Sequence, residues 1–250
     1  AALLTAPQPI WRRSLDRGGG GRIIPAMSTP VVLGALILVA YVLGSIPWGL
    51  VIARTRGIDP RTAGSGNIGA TNVARLLGGK YFALVFALDW LKGFLPILAA
   101  SAWVRTHEPH PSWGIYLLWL GVGLAAILGH VFSLFIGFKG GKGVATSAGV
   151  MLGLYPYYTV AGVAGVLVWG VVFWIWRYIS LASICGALAF PVLYLLAGWV
   201  MGWPVLGQQS PLLVVGVVIA GLVVWKHRGN IARLRAGTEN RAGQRAAARS

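Results

Sequence analysis

Three short polar stretches carry the residues whose types and spacing could do chemistry. The first is Gly64-Ser65-Gly66-Asn67-Ile68-Gly69-Ala70-Thr71-Asn72-Val73-Ala74-Arg75. Its glycines let backbone N–H groups turn inward and approach a ligand closely. From Asn67 onward apolar residues recur at helical spacing, while Asn67, Thr71 and Arg75 fall on another face. The spacing predicts a tight turn feeding a helix N-terminus, with Asn67 as its N-cap. Free N–H groups at such a terminus attract an anion, and Arg75, two turns along, would clamp the same anion with both arms of its guanidinium. The alternative is an interfacial loop whose basic helix rests on lipid headgroups.

The second stretch, Lys139-Gly140-Gly141-Lys142-Gly143, again sets glycines and cations before an apolar helix start. It is not a nucleotide-binding P-loop: the first required glycine is Ile136, and Gly143 stands where that loop needs Ser or Thr. A phosphate is implied, a nucleotide is not. The third stretch opens the C-terminal tail at Lys226-His227-Arg228-Gly229-Asn230. His227 and Asn230 share a helical face where the last apolar run emerges, so His227 is either a headgroup anchor or an acid/base group. Within the apolar runs, Asp89 and Lys92 lie one turn apart and are expected to neutralise each other as structural support. His130 reads as hydrogen-bonded scaffold. Ser180 and Ser183 would add hydroxyls to the same pocket or bond backbone carbonyls.

What must position these stretches is a membrane-embedded helical bundle. Of 250 residues, 57% are hydrophobic and five are acidic, with a mean hydropathy of +0.74. These values fit a polytopic membrane protein. The lone Cys185 excludes a disulfide framework, and the scattered acids (Asp16, Asp59, Asp89, Glu108, Glu239) argue against a divalent-metal site. Apolar runs cover about 31–53, 81–104, 113–138, 144–155, 157–176, 181–203 and 211–225. Arg and Lys crowd into both glycine loops and the tail, with only Arg105 opposite, so those three regions are expected to be cytoplasmic. An even number of crossings must then separate Lys142 from Lys226. That parity makes the expected fold an all-α integral membrane protein of seven transmembrane helices, N-terminus outside and C-terminus cytoplasmic, with short interfacial helices in the motif loops. Residues 1–26 read as an extension before Met27, 27–240 as one catalytic domain and 241–250 as a basic tail.

Taken together, the stretches resemble the acyl-phosphate-dependent glycerol-3-phosphate acyltransferases of bacterial inner membranes. The resemblance rests on GSIPWGLVIA (44–53), GIDPRTAGSGNIGATNVAR (57–75), LDWLKG (88–93), GHVFSLFIGFKGGKGVAT (129–146), RYISLAS (177–183) and HRGNIARLRAGTEN (227–240). Gly229 stands where a longer side chain is common in that family. The resemblance implies transfer of a fatty acyl group from acyl phosphate to the sn-1 hydroxyl of glycerol 3-phosphate, without a cofactor, metal or acyl-enzyme. It further implies a multi-pass inner-membrane protein whose active site faces the cytoplasm; we expect a monomer with no nucleic-acid partner. By similarity, Ser65 with the backbone of Gly66 and Asn67, together with Thr71 and Asn72, would cradle the acyl phosphate. Gly64 and Gly69 belong to the same turn. Arg75, Lys142, Ser183, His227 and Asn230 would hold glycerol 3-phosphate, with Lys139, Gly140, Gly141 and Gly143 in the second phosphate loop. Glu239 would hold the tail in place. The proton acceptor is either His227 or a substrate phosphate oxygen, and the lack of a carboxylate dyad favours the second. The rival readings are an organic-phosphate transporter and a basic scaffold for anionic lipid.

Overall fold

The computed structural model describes residues 27–243, so the expected extension 1–26 and tail residues 244–250 lie outside the described residues. The described residues are helical with no strand. The helices are α1 (Thr29–Ser45), α2 (Trp48–Arg54), α3 (Ala70–Leu77), α4 (Gly79–His107), α5 (Trp113–Val131), α6 (Val144–Gly153), α7 (Tyr157–Trp176), α8 (Ile179–Met201), α9 (Ser210–Lys226) and α10 (Arg228–Arg235). Five stretches are long and apolar enough to cross a membrane: Thr29–Arg54, Gly79–His107, Trp113–Ile136, Tyr157–Trp176 and Ile179–Met201. α9, bent by 56° from α10, adds a sixth when the pair is counted as one broken span. Backbone polar groups in hydrocarbon must bond within their own segment, which is why the apolar runs emerge as helices. Trp174 and Trp199, at 77% and 83% exposure, belong to faces turned outward from the bundle.

Two elements depart from the sequence expectation. The first run is not one helix. Pro47 has no N–H to continue α1, and the chain breaks at Ile46–Pro47 before resuming as α2. The Ile46 carbonyl freed by the break accepts a hydrogen bond from the Lys92 Nζ at 3.0 Å. The stretch expected to cross at 144–155 is the ten-residue α6. At 1.5 Å per residue it reaches about 15 Å, half of a core about 30 Å thick.

Small residues set the helix spacing that brings the loops together. A Cβ on Gly93 of α4 would lie 2.2 Å from the Thr146 carbonyl oxygen, and one on Gly149 of α6 would lie 2.2 Å from that of Trp90. The two backbones therefore meet as only glycines allow. Thr146 Oγ1 adds a hydrogen bond to the Asp89 carbonyl at 2.9 Å. The α4–α6 contact fixes where the Lys142 loop ends relative to α4.

Candidate active site

The first loop is organised by Asn72, which is 2% exposed. Its Oδ1 accepts the Ser65 N–H at 2.8 Å. Its Nδ2 lies 3.0, 3.1 and 2.8 Å from the carbonyls of Pro60, Ala63 and Asn67. Gly64 adopts φ +60° beside it, and a Cβ there would stand 2.4 Å from Asn72 Oδ1. Asn67 is not the N-cap: α3 starts at Ala70 with Gly69 preceding it, and the Asn67 Oδ1 accepts the Gly69 N–H at 2.8 Å. An asparagine in a glycine-rich turn bonds the amide two residues on and closes an Asx turn, which delays the helix by two residues.

The second loop is fastened to α5. Gly140 and Gly141 donate their N–H groups to the carbonyls of Val131 and His130 at 3.1 and 3.0 Å. Those amides are thereby committed to the scaffold. Gly141 also lies against the His130 ring, where an added Cβ would come within 2.2 Å of Nε2. Behind that ring sits a buried cluster: Asp89 Oδ1 is 2.9 Å from Lys92 Nζ and 3.6 Å from His130 Nδ1. Gly141→Ala is therefore expected to displace the loop, lowering activity about tenfold and the melting temperature by several degrees. Thermal unfolding and steady-state kinetics of the purified variant check this; a variant equal to wild type removes the packing argument.

The tail closes over the third side. Glu239 Oε1 accepts hydrogen bonds from Ser180 Oγ (2.8 Å) and Asn230 Nδ2 (2.6 Å), and Oε2 accepts from Arg233 Nε (2.7 Å). Burial opposes the Glu239 charge, but these three donors outweigh it and hold the carboxyl below its usual range. Lys142 Nζ donates to Asn230 Oδ1, extending the chain of contacts to the second loop. His227, 2% exposed, sits just past α9 with Nδ1 2.7 Å from the Val223 carbonyl. A carbonyl only accepts, so Nδ1 carries the proton and Nε2 is left as an acceptor. Burial, reinforced by Lys142, pushes the imidazole down to about 4. Burial lowers Lys142 in the same way, to about 8.

These pieces meet in one cavity of about 400 Å3. From the first loop and α3 it is lined by Ser65, Asn67, Gly69, Thr71, Asn72 and Arg75. The second loop contributes Lys142 and Gly143, α8 contributes Ser183, and the tail contributes His227, Asn230 and Glu239. Gly66 lines an adjoining cleft instead. Gly64, Lys92, Lys139, Gly140 and Gly141 do not line the cavity, and Lys139 is exposed. Ser183 Oγ donates to the Ile179 carbonyl at 2.8 Å and receives Trp169 Nε1 at 3.2 Å, so its proton is spent on α8. Phe82, Phe86, Val166 and Trp169 form apolar walls, and Asp89 and His130 also reach the lining. Sequence reasoning passed over these walls, since an aromatic in an apolar run carries no signal of the side it faces. A neighbouring apolar cavity among α6, α7, α8 and α9 shares Val144, Ala148, Val166, Trp169 and Ser183 with this one.

The profile of the glycerol-3-phosphate acyltransferase family matches residues 34–237. The chain belongs to that family. It is 50% identical over 207 residues to a glycerol-3-phosphate acyltransferase of Geobacter metallireducens, covering 82% of this chain and 95% of the relative. It is 45% identical over 213 residues to one of Aquifex aeolicus, covering 82% and 97%. Among solved structures, it is similar to PlsY, an integral membrane glycerol 3-phosphate acyltransferase, in its glycerol 3-phosphate form. That match has TM-score 0.72 and 43% identity, and covers 85% of this chain and 96% of that one. The lysophosphatidic acid form of the same enzyme matches with TM-score 0.69 and 42% identity, with the same coverage. The family match spans all three polar stretches that the fold gathers around the cavity.

Proposed function

We propose that the chain transfers a fatty acyl group from acyl phosphate to the sn-1 hydroxyl of glycerol 3-phosphate, releasing lysophosphatidate and inorganic phosphate. The observation that carries this reading is the convergence of Ser65, Arg75, Lys142 and Asn230 on a cavity that shares a wall with an apolar one. A polar head and an acyl tail held in adjacent chambers are what an acyl phosphate requires. The glycerol hydroxyl oxygen attacks the acyl carbonyl, the bond from that carbon to the phosphate oxygen breaks, and the alcohol proton passes to a phosphate oxygen. Neutral His227 with Nε2 free orients the hydroxyl; a base held near 4 is a weak proton acceptor at neutral pH, which favours the substrate phosphate. Arg75 and Lys142 supply charge opposite the developing oxyanion and the departing phosphate. Glycerol 3-phosphate is held by Arg75, Lys142, His227 and Asn230, while Ser65 and its loop receive the acyl phosphate. The 27–240 stretch acts as one catalytic domain, monomeric, in the bacterial inner membrane. Seven crossings, the short α6 reaching the far side together with the 154–156 turn and a locally thinned bilayer, put both glycine loops and the tail on the cytoplasmic face.

Purified protein supplied with palmitoyl phosphate and labelled glycerol 3-phosphate is expected to form labelled lysophosphatidate. Acyl-CoA in place of the acyl phosphate is expected to give none. Arg75→Lys, which keeps the charge but loses the fork, and Ser65→Ala are each expected to lower kcat/KM about tenfold or more. No product from wild type, or two variants equal to it, overturns the reading.

A further inference from the structure

Beside the inner cavity lies an outer cleft of about 300 Å3 between the first glycine loop and α10. The two share Ser65, Asn67, Lys142 and Asn230. Arg75 and His227 line only the inner chamber, whereas Lys226 and Arg228 line only the outer one. The charges of the outer cleft are unbalanced. Arg233 is matched by Glu239 at 2.7 Å, but no carboxylate among the described residues pairs with Lys226 or Arg228. Both are steadied by rings instead: Lys226 Nζ lies 5.5 Å from the Trp225 ring and 5.7 Å from Phe132, and the Arg228 guanidinium lies 4.8 Å from Trp225. Aromatic faces hold a cation in place without cancelling its field. A concave, cationic recess without acids draws in small anions and raises their encounter rate.

We propose that this outer cleft is a second phosphate-binding subsite, anchored by Lys226 and Arg228, through which glycerol 3-phosphate enters and inorganic phosphate leaves. The inference rests on the acyltransferase reading for the identity of the traffic, but the subsite itself is a matter of charge and shape. Lys142 borders both chambers and is the cation that passes the phosphate from one to the other. Lys226 and Arg228 act on arrival and departure, while the transfer step belongs to the inner chamber.

The test uses the full chain in nanodiscs of zwitterionic lipid, comparing wild type with the double variant Lys226→Gln/Arg228→Gln. The expected result is a kcat/KM for glycerol 3-phosphate about tenfold lower at low salt, with kcat within about twofold. Its decline with added salt should flatten, because steering between exposed charges fades beyond a Debye length of about 10 Å at 0.1 M. The inhibition constant for inorganic phosphate should rise by a similar factor. The charge-preserving variant Lys226→Arg/Arg228→Lys should restore all three, which excludes simple misfolding. A kcat that falls in step with kcat/KM would place these cations in the transfer and overturn the proposal, as would wild-type salt dependence and phosphate inhibition in the Gln variant. An effect seen only in nanodiscs containing anionic lipid would make a headgroup the occupant and also overturn it. Thermal stabilisation by inorganic phosphate alone, with no acyl donor, reads the subsite independently. Its weakening in the Gln variant is expected even if wild type shows no acyl transfer, whereas unaltered stabilisation overturns the subsite.

Discussion

Asn72→Asp is expected to lower kcat/KM for the acyl donor by about 100-fold or more while leaving the helical bundle folded. The substitution preserves size and the oxygen that accepts the Ser65 N–H. It replaces the amide nitrogen, which now lies within 3.1 Å of three carbonyl oxygens, with a carboxylate oxygen. An acceptor facing acceptors in a site 2% exposed has no favourable arrangement, so the loop must release the residue. Ser65 and the turn behind it then lose their anchor, and a displacement of about 1 Å at a reacting centre costs about 100-fold. Thr71→Ala provides the contrast: Thr71 lines the same cavity but ties no carbonyls in the loop, and its loss should cost a few-fold. Donor-dependence curves for the two variants distinguish the outcomes. An Asn72→Asp enzyme within tenfold of wild type would show that the loop keeps its shape without this residue.

The long apolar runs specify helices because hydrocarbon permits little else, and the polar stretches stand out because each combines glycines with cations or amides in an otherwise apolar chain. That those stretches meet is a property of α4 packing on α6 and of Glu239 reaching Ser180, contacts made across 57 and 59 residues of sequence. Which member of a polar stretch faces a ligand is a different matter. Asn67 and Asn72 look alike in the chain, yet one closes a turn and the other is buried as its tie-bar. Gly140 and Gly141 resemble phosphate-cradling glycines, but their amides are taken by α5 carbonyls whose position depends on where α5 ends. Lys226 and Arg228 read as topology charges because nothing local reveals the cleft opposite them. The break at Pro47 was written in a single residue, though its use by Lys92 was not.

Lys142 sets the second large effect, and it appears as a pH dependence. Burial is the main cause that brings its ammonium down to about 8; Glu239 favours the charge, while Arg233, Arg75 and Lys226 oppose it. A lysine is cationic below its pKa and neutral above it. The grip on a phosphate dianion is therefore present at neutral pH and lost as pH rises through about 8. His227, held near 4, and Glu239, held below the usual carboxylate range, do not change in that range. Glycerol 3-phosphate is itself a dianion there, its second pKa lying near about 6. The KM for glycerol 3-phosphate should then climb between about pH 8 and pH 9.5, approaching tenfold per unit at the upper end. In the saturated complex the bound phosphate favours the ammonium, so kcat should stay level to a higher pH than kcat/KM. Lys142→Met should lower kcat/KM about 100- to 1,000-fold at pH 7 and abolish the alkaline limb, while Lys142→Arg, charged throughout, should move the limb beyond the range. If the methionine variant keeps the wild-type alkaline limb, the titrating group is elsewhere and Lys142 is not the cation that the phosphate meets.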